Sequence, residues 1–533
     1  MTALVLGPML RHVGTTDATV WVETDGACEV EILGHRSHTF HVAGHHYALV
    51  VIEDLEPATS YEYDVALDGE RVWPPPDYEL PPPSLRTLDP GGRVAVVFGS
   101  CRAAAPHEPP YTLSPDDHEL GCEADALWTY ALRLANGEEE RPDLVLLLGD
   151  QVYVDEFAPQ TRAFIRSRRD VTRPPHDEVL DFEEYTHLYR EAWSDPPLRW
   201  LHSTVGTATI WDDHDVHDDW NTSLEWLEEV RRHGWWQTRI RAAIASYWIY
   251  QHLGNLSPRE LAASDLYARV RGADDAADIL FEFAEEADHD VSAKRWSYAR
   301  HLGRVRLVVV DSRGGRVLGE TRLMVDDEEW AWIESEARGE ASHVVLASSL
   351  PFLLPRGIDG LQRWNERIVG GRWGRLAARL GERVREALDL EHWASFETSW
   401  HRMMRLALEL EPRAPVVVVS GDVHYSYLAQ VQGKRIFQAT CSPLRNPLAR
   451  GRRNLGRFAI SPVGRAIGAL LRRGAGVPPP QPPWRLVRGP WFDNAVATLT
   501  LDGDRTTLRM EKTERDDPEA HPRLELVYEH RLT

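Results

Sequence analysis

Three apolar runs in this sequence end in acidic residues: DLVLLLGD closes on Asp150, TATIWDD on Asp212 and Asp213, and APVVVVSGD on Asp422. A further side chain able to hold a cation or a proton follows each run, Tyr153, His214 and His424 respectively. One strand-end aspartate by itself is an ordinary helix cap or turn residue. Three such ends converging on one place form a metal-site pattern, because gathered carboxylates repel and shift one another's pKa values unless cations neutralise them. Cys101, in FGSCR directly after a fourth β-type run, reads either as a small buried apolar side chain or as a thiolate stabilised beside cations. Tyr153 is likewise either a stacked rim aromatic or a phenol that yields its proton to a strongly Lewis-acidic metal. A thiolate and a phenolate among carboxylates suit ferric iron better than magnesium, and the remaining hard oxygens suit calcium or another divalent ion.

Residues of this kind have to be placed by strands. RVAVVFGS, DLVLLLGD, TATIWDD, VRLVVVDS, SHVVLASS and APVVVVSGD are apolar, β-branched runs of the sort buried on both faces of a sheet. Helical stretches alternate with them, such as Glu123 to Asn136 and Glu225 to His252, so the pattern predicts an α/β domain with a largely parallel central sheet. Ligands in such sheets gather beyond the carboxyl ends of the strands. Ahead of this domain, ATVWVET, ACEVEIL, HYALVVI and SYEYDVAL, with a turn at Asp68-Gly69, predict a small all-β domain. Seven prolines between Trp73 and Gly92 predict extended backbone and few crossing contacts there, which divides the chain into 1–88 and 93–533. Insertions at about 155–300 carry Trp220, Trp226, Trp235, Trp236 and Trp248, read as aromatic helix packing or as a substrate-covering lid. NAVATLTLDGDRTTLRMEK (494–512) predicts a closing hairpin.

The whole-chain balance narrows the partners. Net charge is −23, so binding along a nucleic-acid backbone is not expected. The four cysteines make neither a disulfide framework nor a CxxC metal pair. The N-terminal MTALVLGPMLRHVG has no basic n-region or twin-arginine pair, and the expectation is a cytoplasmic protein. Residues 445–475 hold eight arginines and no acid among scattered apolar residues; a membrane-surface or subunit-docking helix is one reading of them, against which the interrupting Gly and Pro count. GGRVLG (314–319) and GRWGRLAARLG (371–381) lack the G-x-x-x-x-G-K-[ST] pattern of a nucleotide loop.

FGSCR (98–102), GDQVYVDE (149–156), WDDHDVHDDW (211–220), VVVDSR (308–313) and SGDVHYSY (420–427), in that order, resemble the PhoD-type alkaline phosphatases, a branch of the calcineurin-like metallophosphatases. LEPATSYEYDVALDG (55–69) resembles the late strands of fibronectin type III sandwiches, through Leu55, Pro57, Thr59, Tyr61 and Tyr63. The resemblance implies a four-layer αββα catalytic domain preceded by a fibronectin III-like β-sandwich, with Fe3+ and Ca2+, or another divalent cation, as its metals. It makes Cys101, Asp150 and Tyr153 ligands of the iron, with Asp150 bridging to the second metal, and Asp213, Asp422 and His424 further ligands. His214 falls at the catalytic histidine of the calcineurin-like motif, and Arg102 beside Cys101 is placed to hold a phosphate oxygen. Asp215 stands where glutamate is common, and Asp218-Asp219 where paired amides are frequent, so the second site is expected to be more anionic.

The reaction implied is hydrolysis of a phosphate monoester or diester by metal-activated water, with His214 or His424 protonating the leaving oxygen. Ser100 and Ser420 show no paired histidine and acid at a readable spacing, so a covalent serine route is not expected. Two alternatives stand beside it: a phospholipase-type or polymer-directed phosphodiesterase, and a non-enzymatic metal-binding protein on an inherited fold.

Overall fold

The six apolar runs all form strands, because β-branched side chains fit a pleated surface and both faces of each strand find a partner layer. A computed structural model describes residues 2–319, 321–514 and 522–533. The strands divide between two mixed sheets, where the sequence pattern had suggested one. In the first, Thr207–Ile210, Leu144–Leu148 and Val94–Gly99 run parallel, and the antiparallel strands Ala495–Asp502, Arg505–Glu514 and Arg523–Arg531 continue the sheet. The expected closing hairpin therefore extends the sheet that carries Cys101 and Asp150. In the second, Val305–Val310, His343–Ser348, Val416–Ser420 and Ile436–Thr440 are parallel, flanked by Tyr298–Leu302 on one side and by Ser426–Val431 and Trp484–Trp491 on the other.

Residue parity decides what each face meets, since successive side chains on a strand point to opposite sides. Leu144, Leu146 and Leu148 share one apolar cluster with Leu307, Val309, Val345 and Val417 of the other sheet. The alternate residues Val145 and Leu147 pack on Leu127, Tyr130 and Leu201, carried by helices Ala126–Ala135 and Pro196–Thr204. Val308, Leu346 and Val418 pack on Trp330, Trp400 and Met403, from helices Asp327–Ala337 and Glu397–Leu410. Burying each such aliphatic side chain contributes roughly 1.5–3 kcal/mol.

The N-terminal region is a β-sandwich of two four-stranded sheets, Leu4–Val13, Ala18–Thr24, His45–Ile52 and Phe40–Val42 in one, and His35–His38, Glu29–Ile32, Val65–Leu67 and Glu70–Trp73 in the other. The expectation of few crossing contacts beside the prolines is corrected here. Trp21 and Tyr47 of the sandwich belong to the same apolar cluster as Trp248 and Leu146. Trp200 donates to the Pro81 carbonyl at 2.9 Å, Tyr63 donates to the Ser203 carbonyl at 2.6 Å, and the Arg199 guanidinium lies 4.2 Å from the centre of the Trp73 ring. Buried Arg11 donates to the carbonyls of Tyr250 (3.0 Å) and Gln251 (2.6 Å). The insertions therefore act as the interlayer between sandwich and sheets. Trp220, Trp236 and Trp248 are buried in that cluster, as the aromatic-packing reading expects.

His45 of the sandwich sits between Glu23 (3.2 Å) and Glu183 of helix Phe182–Trp193 (2.7 Å). Burial opposes its charge, but the two carboxylates outweigh burial and raise its pKa. A raised histidine contributes stability that is fully present below its unfolded value of about 6.5 and lost as pH climbs through the folded value. Denaturation of wild type and His45→Gln across this range is expected to show a stability gap that is wide at mildly acidic pH and closes on the alkaline side. A gap that widens with pH would contradict this.

Candidate metal centre

The strand ends meet because two glycines let them. A Cβ on Gly421 would fall 2.0 Å from Ser100 Oγ, and Gly149, at φ +100°, would place one 2.7 Å from the Asp212 side chain. With those contacts open, the Cys101 amide donates to the Gly149 carbonyl (3.3 Å) and the Asp422 amide to Ser100 Oγ (2.9 Å). Immediately beyond the strands, Cys101, Asp150, Asp422 and His424 all adopt left-handed backbone, with φ of +56°, +50°, +68° and +53°. Non-glycine residues rarely take that conformation, and each costs about 1–3 kcal/mol, held in place by the surrounding structure. Strain of this kind gathers at functional sites.

Donor atoms of Asp150, Asp213 and His214 lie within 4.8 Å of one another, as do those of Asp212, Asp213 and Asp422, so Asp213 belongs to both groups. Tyr153 reaches Asp150 Oδ2 at 3.4 Å. Cys101 Sγ, fully buried, receives a hydrogen bond from the Ser442 hydroxyl (3.4 Å) and lies 3.6 Å from the Asp422 carbonyl. His424 Nδ1 donates to the Asn446 carbonyl at 2.6 Å, which leaves Nε2 free of that role. His214 is held through Nδ1 by Asp155 at 3.0 Å, with Asp218 3.7 Å from its Nε2.

The donor set fits cations on an observation independent of any relative. Asp150 Oδ1 and Asp212 Oδ2 are buried and have no hydrogen-bond partner among the described residues. An unpaired buried carboxylate oxygen is expensive, and a metal ion is one of the few groups that satisfies it. Burial and the neighbouring acids push Asp150 and Asp212 far above the usual carboxylate range, although His214 opposes the shift at Asp150 and Arg313 at Asp212. Burial likewise raises Cys101 and Tyr153, reinforced at both by Asp150. Cations bound among these groups reverse that balance and favour the thiolate, the phenolate and the carboxylates.

Cys101, Asp150, Tyr153, Asp213, His214, Asp422 and His424 are thus brought to one place, and Arg102 is not. Its Nε donates to Asp125 Oδ2 (2.8 Å) and its Nη1 to the Ala192 carbonyl (3.0 Å), a buried pair at the start of helix Ala126–Ala135. The phosphate-holding position expected of Arg102 is therefore corrected. The guanidinium among the carboxylates belongs to Arg313, the last residue of VVVDSR. It pairs with Asp212 and Glu391, and it lies 3.1 Å from Asp213 and 3.7 Å from Asp422. Burial would raise Glu391, but Arg313 and Arg316 outweigh it and hold Glu391 far below its ordinary value.

The sequence reading also missed His392, whose Nε2 contacts Asp422 Oδ2 at 2.8 Å, and Asp155. Asp155 lies inside the quoted GDQVYVDE motif and was within reach; His392 has no motif around it. The departure at Asp215 acquires a role as well. Its Oδ2 accepts the amides of Asp150 (3.1 Å) and Asp212 (2.9 Å), and its Oδ1 accepts from Gln251 Nε2 (2.9 Å), so it braces two strand ends.

A family model described as PhoD-like phosphatase matches residues 125–445, and one described as a domain of unknown function (DUF7800) matches residues 1–85. No curated protein matches the chain. Among solved structures, a structure of PhoD aligns with 98% of this chain and 92% of its own at 14% identity, with a TM-score of 0.58; at that identity the likeness speaks for the fold alone. A maltogenic amylase from S. marinus aligns with 95% of the chain and 76% of its own at 8% identity, and its TM-score of 0.18 carries no argument.

Removing Arg313 leaves Asp212 and Glu391 buried without their cation. In chelator-treated protein, Arg313→Gln is expected to lower unfolding free energy by about 3–5 kcal/mol, the range for breaking one side of a buried ion pair. A loss below about 1 kcal/mol in the denaturation midpoint analysis would show that the network is not needed for stability.

Proposed function

The chain belongs to the PhoD-like phosphatase family, and from that premise we propose that it is a metal-dependent hydrolase of phosphate monoesters or diesters. The observation that carries this reading is the pair of orphaned, buried oxygens, Asp150 Oδ1 and Asp212 Oδ2, inside a cluster of four strand-end aspartates. Cys101, Asp150 and Tyr153 are the ligands assigned to Fe3+. Asp213, Asp422 and His424, joined by Asp212, would be the further ligands, with Ca2+ or another divalent ion as the second cation. Cations held there supply Lewis acidity to the phosphoryl oxygens and lower the pKa of bound water.

The chain's own residues supply the rest. His424, with Nδ1 committed to the Asn446 carbonyl, presents Nε2 as a ligand. His214, oriented by Asp155 through Nδ1, keeps Nε2 for the leaving-group oxygen, to which it delivers a proton. Arg313 holds Asp212 and Asp213 in position from the side opposite solvent, being fully buried itself. Water is the nucleophile: Ser100 Oγ accepts the Asp422 amide and Ser420 Oγ meets Thr440 at 2.9 Å, and neither is paired with an imidazole. The four-layer αββα description is part of the same proposal and is supported by the alternation of inward and outward residues in the two sheets. The fibronectin III likeness of the sandwich rests on its late-strand residues alone.

Elemental analysis of purified protein is expected to find iron together with calcium or another divalent ion, with both lost in Asp150→Asn. Phosphoester turnover should fall beyond the roughly 10–100-fold typical of groups that only stand behind metal ligands. Unchanged metal content and turnover in the variant would defeat the assignment. For His214→Gln, esters with poor alkoxide leaving groups are expected to lose about 10²–10⁴-fold in kcat, while esters of acidic phenols lose much less. Equal losses for both ester types would remove His214 as the proton donor.

A further inference from the structure

Among the described residues, nine of the twelve large apolar side chains left exposed fall in two short stretches: Trp373, Leu376, Leu380 and Leu388, and Leu455, Phe458, Val463, Ile467 and Leu470. The second stretch forms helices Arg450–Ile460 and Pro462–Gly474, which pack on helix Arg356–Val369. Glycines set that packing. A Cβ on Gly468 would lie 2.4 Å from the Gly357 carbonyl, and one on Gly360 would lie 2.6 Å from the Gly468 carbonyl. Because backbone meets backbone at Gly464 and Gly468, the helix cannot turn, and Val463, Ile467 and Leu470 are left as a stripe at i, i+4 and i+7 facing solvent. Helix Arg375–Ala387 repeats the arrangement, with Gly381 and Arg385 buried and Leu376 and Leu380 exposed beside Arg375, Arg379 and Arg383.

A surface helix of a globular protein ordinarily turns its large apolar residues inward. These helices do the reverse, and on Arg450–Ile460 and Pro462–Gly474 the charge has one sign, whereas Arg375–Ala387 also carries Glu382 and Glu386. Residues 445–475 hold eight arginines and no acid in a chain of net charge −23. Arg453 pairs with Asp116, but Arg452, Arg465 and Arg473 make no ion pair among the described residues. A two-fold contact of helices Arg450–Ile460 and Pro462–Gly474 with the same helices of a second copy would set arginine against arginine, with no acid in residues 445–475 to offset the repulsion. A nucleic-acid backbone would use the arginines and leave the apolar stripe uncovered. An anionic lipid surface satisfies both chemistries at once: the aliphatic and aromatic side chains enter the headgroup–acyl boundary, and the guanidiniums meet the lipid phosphates and carboxylates.

We propose that the face built by helices Arg450–Ile460 and Pro462–Gly474, extended by Arg375–Ala387, docks this protein on an anionic phospholipid surface. The attachment is in-plane, since among the described residues no helix is long and apolar enough to cross a membrane. It rests on these helices alone and not on the hydrolytic reading. The face is nonetheless tied to the carboxylate cluster. Helix Arg356–Val369, its support, carries Gln362, whose Nε2 meets His392 Nδ1 at 2.7 Å, and His392 contacts Asp422. The segment leading into Arg450–Ile460 contains Asn446, which holds His424.

The test is co-sedimentation of the full chain with vesicles of phosphatidylcholine alone and with about 30 mol % phosphatidylserine. Binding is expected to the anionic vesicles and to weaken with added salt. Ile467→Glu with Leu470→Glu, at positions already exposed and therefore compatible with an unchanged far-UV spectrum, should weaken binding by about tenfold or more. Arg452→Gln, Arg465→Gln and Arg473→Gln together should weaken it and flatten the salt dependence. Failure to bind either vesicle, or equal binding by the apolar variant, overturns the proposal. So does sedimentation velocity showing a self-associating wild type, a monomeric Ile467→Glu/Leu470→Glu variant and no vesicle binding, which would assign the face to a second copy.

Discussion

Negative charge buried at the ends of parallel strands is the constraint on which this molecule is organised. Asp213 stands within ligating distance of Asp150 on one side and of Asp212 and Asp422 on the other, and Asp150, Asp212 and Asp213 are buried. Such a set does not persist unless positive charge stands beside it. Part of that charge is built in, since Arg313 touches Asp212 and Asp213 while sharing Glu391 with Arg316. The oxygens that Arg313 does not reach, Asp150 Oδ1 and Asp212 Oδ2, are the ones left for cations. A network that supplies a buried guanidinium to some oxygens and leaves others bare could hold a cation at the bare ones.

Holding the aspartates close requires rigidity behind them. The two sheets supply it through their shared apolar interface, and the left-handed turns at Cys101, Asp150, Asp422 and His424 are tolerated because each follows a strand fixed on both sides. Asp215 adds a cross-brace between two of those strand ends. The brace continues outward: Gln251 donates to Asp215 through its side chain and accepts from Arg11 of the sandwich through its carbonyl. The N-terminal region therefore reaches the backbone of the carboxylate cluster through three side chains, Arg11, Gln251 and Asp215. A sandwich connected in this way is part of the structural support of the site.

Much of the site was legible because its residues sit directly beside strand ends, where the chain itself announces both the element and the ligand. The FGSCR, GDQVY, WDDH and SGDVH segments each place a donor within three residues of an apolar run, and all of those donors meet in the structure. Arg102 shows the limit of that logic. It is next to Cys101 in the chain, but its side chain is drawn away to Asp125. Arg313 and His392 enter the cluster from a neighbouring strand and from a loop far along the chain. No spacing rule brings them there; only the pairing of strand Val305–Val310 with His343–Ser348, and the packing behind it, does.

The sequence by itself determined the strands, the all-β start, the list of ligand types and the family pattern, because these follow from local periodicity and from residues adjacent in the chain. Tertiary structure alone decided which strands join which sheet, that Arg313 and not Arg102 accompanies the carboxylates, that Asp215 is a brace, and that the prolines between Trp73 and Gly92 lie against a continuous core. It also decided which side of the arginine-rich helices is covered, through the glycine contacts at Gly357, Gly360, Gly464 and Gly468. The physical reason is common to all of these. Periodicity tells which face of an element is apolar, but the partner that covers that face, and the charge that stands opposite a given side chain, are set by segments elsewhere in the chain.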